Sequence, residues 1–399
     1  MKKILFLGFI ALTALTVTSC SNDEVMEAVP QKQAIEFGTY LGRDAQARAA
    51  ELETAGLQAK GFGVFASYTN TENWTTSAKP NFMFNQEVTY NTTSTAWEYS
   101  PIKYWPESAG KISFFAYGPL KNYDDTPTET VTEKSTNTVA GAPTVTFTQS
   151  TDVTKMVDFV AAVSMNETYD ENKTDNTVEF TFKHELTRVS FSAKLGEGYY
   201  VADLADKANK TMINIKSVKI NKGNKFIASA DYTFASADAN AGTWGTQTIA
   251  TTDLTLDGIL NKQTPNITGA TVYNVEGILV NSNTNAVTLF QANQYAFLIP
   301  YVQTETPYIT GLTPSDEIEV TFTYDIITLD VALENGYSCT TDTKTAKIKG
   351  AATPTILQQG KAYNITFAIG LKAIVLDVTE VSDWATPVYG VDASTEDLP

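Results

Sequence analysis

The sequence predicts an all-β protein, and three observations carry that prediction. Thr, Asn, Val, Ile, Tyr and Phe are abundant while Lys and Arg together number 28 of 399 residues, which is strand rather than helix composition. Short segments of period-two apolar alternation recur along the chain, separated by clusters of Gly, Pro, Asn, Asp and Ser. No repeat at a spacing of 20–50 residues is present, so the many short strands imply sandwiches or barrels rather than a solenoid. The length fits two domains or one large β domain.

In chain order, Lys2 and Lys3 precede a nearly uncharged apolar run at 4–17, too short to span a bilayer as a mature helix. It ends in Val17-Thr18-Ser19-Cys20. A cysteine at this spacing resembles a bacterial lipobox, the other reading being a plain cleaved signal with an incidental cysteine. The resemblance implies cleavage before Cys20 and a diacylglycerol on its sulfur, with residues 1–19 as signal peptide. Acyl chains contribute about 0.8 kcal/mol per buried CH₂, so two or three of them hold a protein firmly at a membrane. Ser21-Asn22-Asp23-Glu24 resembles the surface-export signal of Bacteroidota lipoproteins, or is a flexible polar tether.

Residues 34–41 place Ile35, Phe37, Thr39 and Leu41 on one face and read as an edge strand. Residues 42–50 follow as a small, polar loop with Arg43 and Arg48, open to a trypsin-like protease. Strands are expected at 63–69, at 81–90 and 97–104 around a turn at 91–94, at 111–117 up to Gly118-Pro119, at 144–148 and at 157–164. A polar loop at 172–177 leads into a long pair: Val178, Phe180 and Phe182 alternate, and Val189, Phe191, Ala193 and Leu195 resume after His184. One or two helical turns are expected at 203–209. The strand at 213–220 shifts its apolar phase at 217–218, which predicts a bulge. Further strands are expected at 228–234, 287–290, 295–302, 317–325, 363–371 and 374–378, with a short polar edge strand at 344–349. Trp384 closes the core, and 388–399 is an acidic tail. The domain boundary is expected near 193–198.

The formal charge of −17, −19 without Lys2 and Lys3, argues against nucleic acid and against adsorption to anionic lipid. With Cys20 lipidated, Cys339 has no partner within the chain; it reads as a structural thiol. No catalytic residue, cofactor or metal site is expected. The single His184 lies in a strand, with no nucleophile elbow around any serine and no second histidine of a zinc-protease motif. The acidic loop at 170–176 lacks the glycine and terminal glutamate of a calcium loop. No Gly-rich phosphate cradle follows any strand. Trp74, Trp97 and Trp105 read as core, with a sugar-stacking platform as the alternative.

Several stretches together resemble the fimbrillin-like (Mfa-like, FimA-type) subunits of Bacteroidota pili. They are Trp97-Glu98-Tyr99-Ser100-Pro101-Ile102-Lys103-Tyr104-Trp105-Pro106, the segment Ile112-Ser113-Phe114-Phe115-Ala116-Tyr117-Gly118-Pro119, Phe180-Thr181-Phe182-Lys183-His184-Glu185-Leu186, and Gln359-Gly360-Lys361-Ala362-Tyr363-Asn364-Ile365 with Asp383-Trp384. The lipobox and the stretch from Ile35 to Arg48 match in type and position. The resemblance implies two tandem transthyretin-like β-sandwich domains, 49–195 and 196–399, behind a tether and removable strand at 20–48. It implies export as an outer-membrane lipoprotein, cleavage after an arginine, and assembly with other pilus subunits by donor-strand exchange. Ile35, Phe37 and Leu41 would then be the plugs that strand removal withdraws, with Arg48 preferred over Arg43 as the cut site. The thin apolar pattern after Trp384 leaves stalk, tip and anchor roles open, as well as any receptor or glycan. The rival expectation is a permanently tethered surface glycan-binding lipoprotein.

Overall fold

The computed structural model describes residues 33–41, 52–106, 109–121, 130–199, 211–223, 226–238, 241–267, 270, 272–300, 318–348 and 357–383. Cys20, Arg43, Arg48, the 203–209 segment and everything from Trp384 onward lie outside these residues. Those from Ala34 on form one unit.

The chain opens with β1 (Phe37–Tyr40), then α1 (Thr54–Lys60), β2 (Phe62–Tyr68), β3 (Met83–Asn91), β4 (Ala96–Glu98), β5 (Ile112–Gly118), β6 (Val131–Glu133) and β7 (Thr144–Thr148). It continues through β8 (Val160–Glu167), β9 (Val178–Thr181), β10 (Lys183–His184), β11 (Thr187–Leu195), β12 (Thr211–Ile220), β13 (Ile227–Thr233) and β14 (Thr243–Ile249). The remaining strands are β15 (Leu254–Thr255), β16 (Ile278–Val280), β17 (Val287–Thr288), β18 (Ala296–Leu298), β19 (Ile318–Leu329), β20 (Tyr337–Ile348), β21 (Lys361–Ile369) and β22 (Ile374–Asp383). The all-β expectation holds.

The sheet of order β10-β8-β5-β2-β3-β4 is a middle layer. Its central strands read as continuous apolar runs because both faces are covered: all seven residues of β5 are buried, as are the first six of β2. Alternation then sends neighbours to opposite sides. Phe62, Val64, Phe114 and Ala116 face one core with Phe37 and Phe180, while Phe65, Phe115 and Tyr117 face the other. That second core includes Phe234, just past β13, and Tyr232 and Trp244 from the sheet β14-β13-β7-β6, which joins strands from before and after residue 195. A further pair of sheets, β17-β11-β21-β22 and β15-β12-β19-β20, meets through Phe191 and Phe322, whose rings lie 5.2 and 4.9 Å from that of Phe367. The ladder between β12 and β19 slips between Ile215 and Ser217, where the apolar phase shift placed a bulge.

Several boundaries differ from expectation for local reasons. The strand after the 91–94 turn stops at Glu98, and beyond it only Tyr104 makes a bridge, with Ala34; Pro101 and Pro106 supply no backbone N–H for a ladder there. The long pair around His184 is three strands in three sheets, since Glu185 and Leu186 carry the chain out of one layer into another. The short strand expected at 344–349 is a strand of twelve residues paired along its whole length with β19. Most of its Thr-rich side chains are exposed, so no apolar alternation announced it. Cys339 lies on it, exposed, its thiol pushed up by desolvation and by Asp325.

Candidate functional site

The expected edge strand occupies a slot in the N-terminal layer. β1 pairs in parallel with β9, from Phe37 opposite Val178 to Tyr40 opposite Thr181. Val178 N–H donates to Glu36 O at 2.9 Å, and Phe182 N–H donates to Tyr40 O at 2.9 Å. On the other side Ile35 N–H donates to Lys103 O at 2.9 Å, and Ala34 bridges Tyr104 antiparallel. Residues 34–35 are therefore held against the 103–104 backbone and residues 36–40 against β9.

Period-two alternation turns Ile35, Phe37 and Leu41 inward, where they are 1, 5 and 3 % exposed. The Phe37 ring meets Tyr99 at 5.4 Å, Phe180 at 5.5 Å, Phe114 at 5.8 Å and Phe62 at 6.1 Å. Each such side chain contributes roughly 1.5–3 kcal/mol when taken from water. Two polar anchors align the strand. Tyr99 donates its hydroxyl to Ile35 O at 2.9 Å, and burial pushes that hydroxyl's pKa up, keeping it a donor. Trp97 Nε1–H donates to Thr39 Oγ1 at 3.1 Å. The Glu179 carboxylate lies over Gly38, where a Cβ would come within 2.2–2.4 Å of it and the side chain would have to swing aside; partial burial and Asp175 raise the Glu179 pKa.

The chain is pinned again where it re-emerges past the 42–51 segment. Leu52 N–H donates to Asp158 Oδ2 at 3.3 Å, and His184 Nδ1 lies 2.7 Å from the same oxygen. Phe159 N–H donates to Asp158 Oδ1 at 2.8 Å. Asp158, two residues ahead of β8, thus holds both the chain's one histidine on β10 and Leu52, two residues ahead of α1. Next to it Glu185 is buried, and its carboxyl is pushed up to about 8 by burial, with Tyr232 and the Gln359 amide as hydrogen-bond partners.

The sequence placed Ile35, Phe37 and Leu41 together, and the structure brings them into one core. Tyr99, Trp97 and Asp158 were not singled out for this site: their partners lie 58–106 positions away in sequence, and no local pattern encodes such pairs. Of the three tryptophans weighed as a stacking platform, Trp74 and Trp105 are buried, which leaves only Trp97 partly accessible. The 170–176 loop closes on itself through Asp170, which accepts from Asn172 N–H and Nδ2 at 2.9 and 3.2 Å. Among the described residues no group of three or more His, Cys, Asp or Glu side chains is placed to hold a metal ion.

The chain is 27 % identical over 398 residues to Fimbrium subunit Fim1C of Phocaeicola vulgatus, covering 96 % of this chain and 97 % of that one. A crystal structure of a fimbrial protein from Bacteroides vulgatus superposes with a TM-score of 0.68 at 25 % identity, over 88 % of this chain and 99 % of the other. A family model described as fimbrillin-like matches residues 48–384. The chain belongs to the fimbrillin-like family.

Proposed function

We propose that this pilus subunit is assembled by removal of its N-terminal strand and insertion of a strand from the next subunit. Family membership makes it a structural or adhesive component of a cell-surface fimbrium. One observation supports the route: β1 is only four residues long, yet its slot takes up Ile35, Phe37 and Leu41 almost completely. Withdrawing it uncovers an apolar groove, the free edge of β9 and the backbone at Lys103. A strand from a second subunit satisfies all three at once. Repeated head to tail, such a contact does not close and builds a filament.

In this reading the chain is exported as an outer-membrane lipoprotein through Cys20 and is cut after Arg48, or after Arg43. Its sheets form two tandem transthyretin-like sandwiches divided near residue 195, except that the sheet β14-β13-β7-β6 draws strands from both sides of that point. Leu52, held by Asp158, is the first described residue beyond the proposed cut.

Treating the exported protein with an arginine-specific protease tests this. The expected result is a ladder of oligomers on a denaturing gel run without heating, a mature N-terminus at Ala49, and no ladder from an Arg43→Ala, Arg48→Ala double variant. Processed protein that stays monomeric while intact protein assembles overturns the proposal.

A further inference from the structure

The side chains that β1 sends into its slot are apolar except at one point. Alternation turns Thr39 to the same side as Ile35, Phe37 and Leu41, so a hydroxyl stands between two hydrophobic plugs. Thr39 Oγ1 accepts from Trp97 Nε1–H at 3.1 Å. Trp97 packs against the same core, and neighbours set its indole in place: its ring lies 4.7 Å from that of Phe62 and 5.2 Å from that of Tyr90. Its backbone is paired with Tyr90 across the ladder between β3 and β4. The N–H is thus aimed at the strand before any strand is bound.

Two side-chain donors reach β1 from residues 97–99, and they differ in what they can tell apart. Tyr99 donates to Ile35 O, a backbone carbonyl that every residue carries. That bond positions a strand and holds no information about its sequence. The Trp97 bond goes to a side chain. A strand with valine in place of threonine keeps the shape but has no acceptor, and the indole N–H loses its partner. A site built around a hydrogen bond rejects the isostere that lacks it more strongly than an apolar pocket rejects a missing methylene.

The other inward positions select by size and shape. Phe37 lies among four rings at 5.4–6.1 Å, an enclosure that suits an aromatic side chain. Ile35 and Leu41, 1 and 3 % exposed, fill spaces of aliphatic size. Glu36 turns the opposite way and is exposed, so its identity matters little to the fit.

We propose that Trp97 is the residue by which the slot selects its incoming strand, and that the partner subunit presents an aliphatic, an aromatic, a hydroxyl-bearing and an aliphatic residue at alternate positions of that strand, in the direction of β1. The inference rests on the strand-exchange reading and adds to it the kind of strand that is accepted.

The full chain, cut with the arginine-specific protease, is brought to equilibrium with a fluorescein-labelled peptide of residues 34–41, which unlabelled peptides then displace; anisotropy follows the exchange. The 34–41 peptide is expected to compete about fivefold better than its Thr39→Val version, the worth of one net hydrogen bond. On a Trp97→Phe chain, which keeps a ring in place and loses the N–H, the two peptides are expected to compete equally. In the unsubstituted chain the Trp97 indole N–H resonance is expected to differ between the two peptide complexes by NMR, and this decides the matter even where Trp97→Phe fails to fold. Equal competition on the unsubstituted chain, a preference that survives Trp97→Phe, or an indole resonance that is the same in both complexes overturns the proposal. Failure of every peptide to enter, the unaltered one included, overturns the strand-exchange reading itself and the proposal with it.

Discussion

β1 spans four residues and pairs with one strand in parallel, whereas β20 spans twelve and pairs with β19 over its full length. By hydrogen bonds alone β20 is the better held. By side chains the order reverses. Ile35, Phe37 and Leu41 are buried around β1, while most β20 side chains face solvent, and Thr321 and Thr323 meet Thr345 and Thr343 across the ladder at 2.8 and 3.3 Å. A net backbone hydrogen bond is worth only about 1 kcal/mol, less than one buried aromatic ring. A strand kept mainly by its ladder can be trimmed without opening a core. One kept by its side chains leaves a hole, and in the proposed route that hole is what a neighbouring subunit's strand fills.

This contrast can be broken or sharpened by substitution. Phe37→Ala should have the largest effect, a loss of about 3–5 kcal/mol in urea unfolding, because the cavity it leaves is walled by four other rings. A loss below about 1 kcal/mol would place β1 on the same footing as β20. Glu185 lies where the chain crosses between the layers, and it gives a pH-dependent check on the core. Its folded carboxyl keeps its proton up to about 8, whereas the unfolded one releases it near 4.5. The folded state therefore binds more protons in that window, and stability should fall as pH rises from about 4.5 to about 8. Glu185→Gln should flatten the fall, as read from unfolding midpoints at pH 5, 6.5 and 8. Thr39→Val removes the acceptor of the Trp97 indole and should cost about 1 kcal/mol, with the Trp97 fluorescence shifted. Thr343→Ala, on the exposed face of β20, should change stability by less than about 0.5 kcal/mol.

How much of this was legible in the sequence follows from the same contrast. The β1 slot announced itself because Ile35, Phe37 and Leu41 alternate, and alternation is what one-sided burial writes into a strand. β5 and β2 were legible as strands, expected at 111–117 and 63–69. β20 was cut short in the reading because residues 338–341 are exposed on both faces, so nothing periodic remains to be seen there. α1 was missed: seven residues with Leu57 alone buried give no helical stripe. The parallel pairing of β1 with β9, the hold of Asp158 on Leu52 and the sheet that joins β7 to β13 depend on contacts between distant stretches. Local pattern carries no record of them.

The parallel register of β1 has one further outcome. Phe37 pairs with Val178, so the start of the body is seated against its middle, and the connection between them is covalent. While that connection is whole, β1 acts as a tethered ligand at an effective concentration of order millimolar. A single hydrolysed peptide bond between Leu41 and Leu52 turns it into a separate chain, held in the slot by non-covalent contacts alone. No contact in the slot changes, yet its occupancy then depends on dilution, and a competitor carried on a neighbouring molecule has the advantage of proximity.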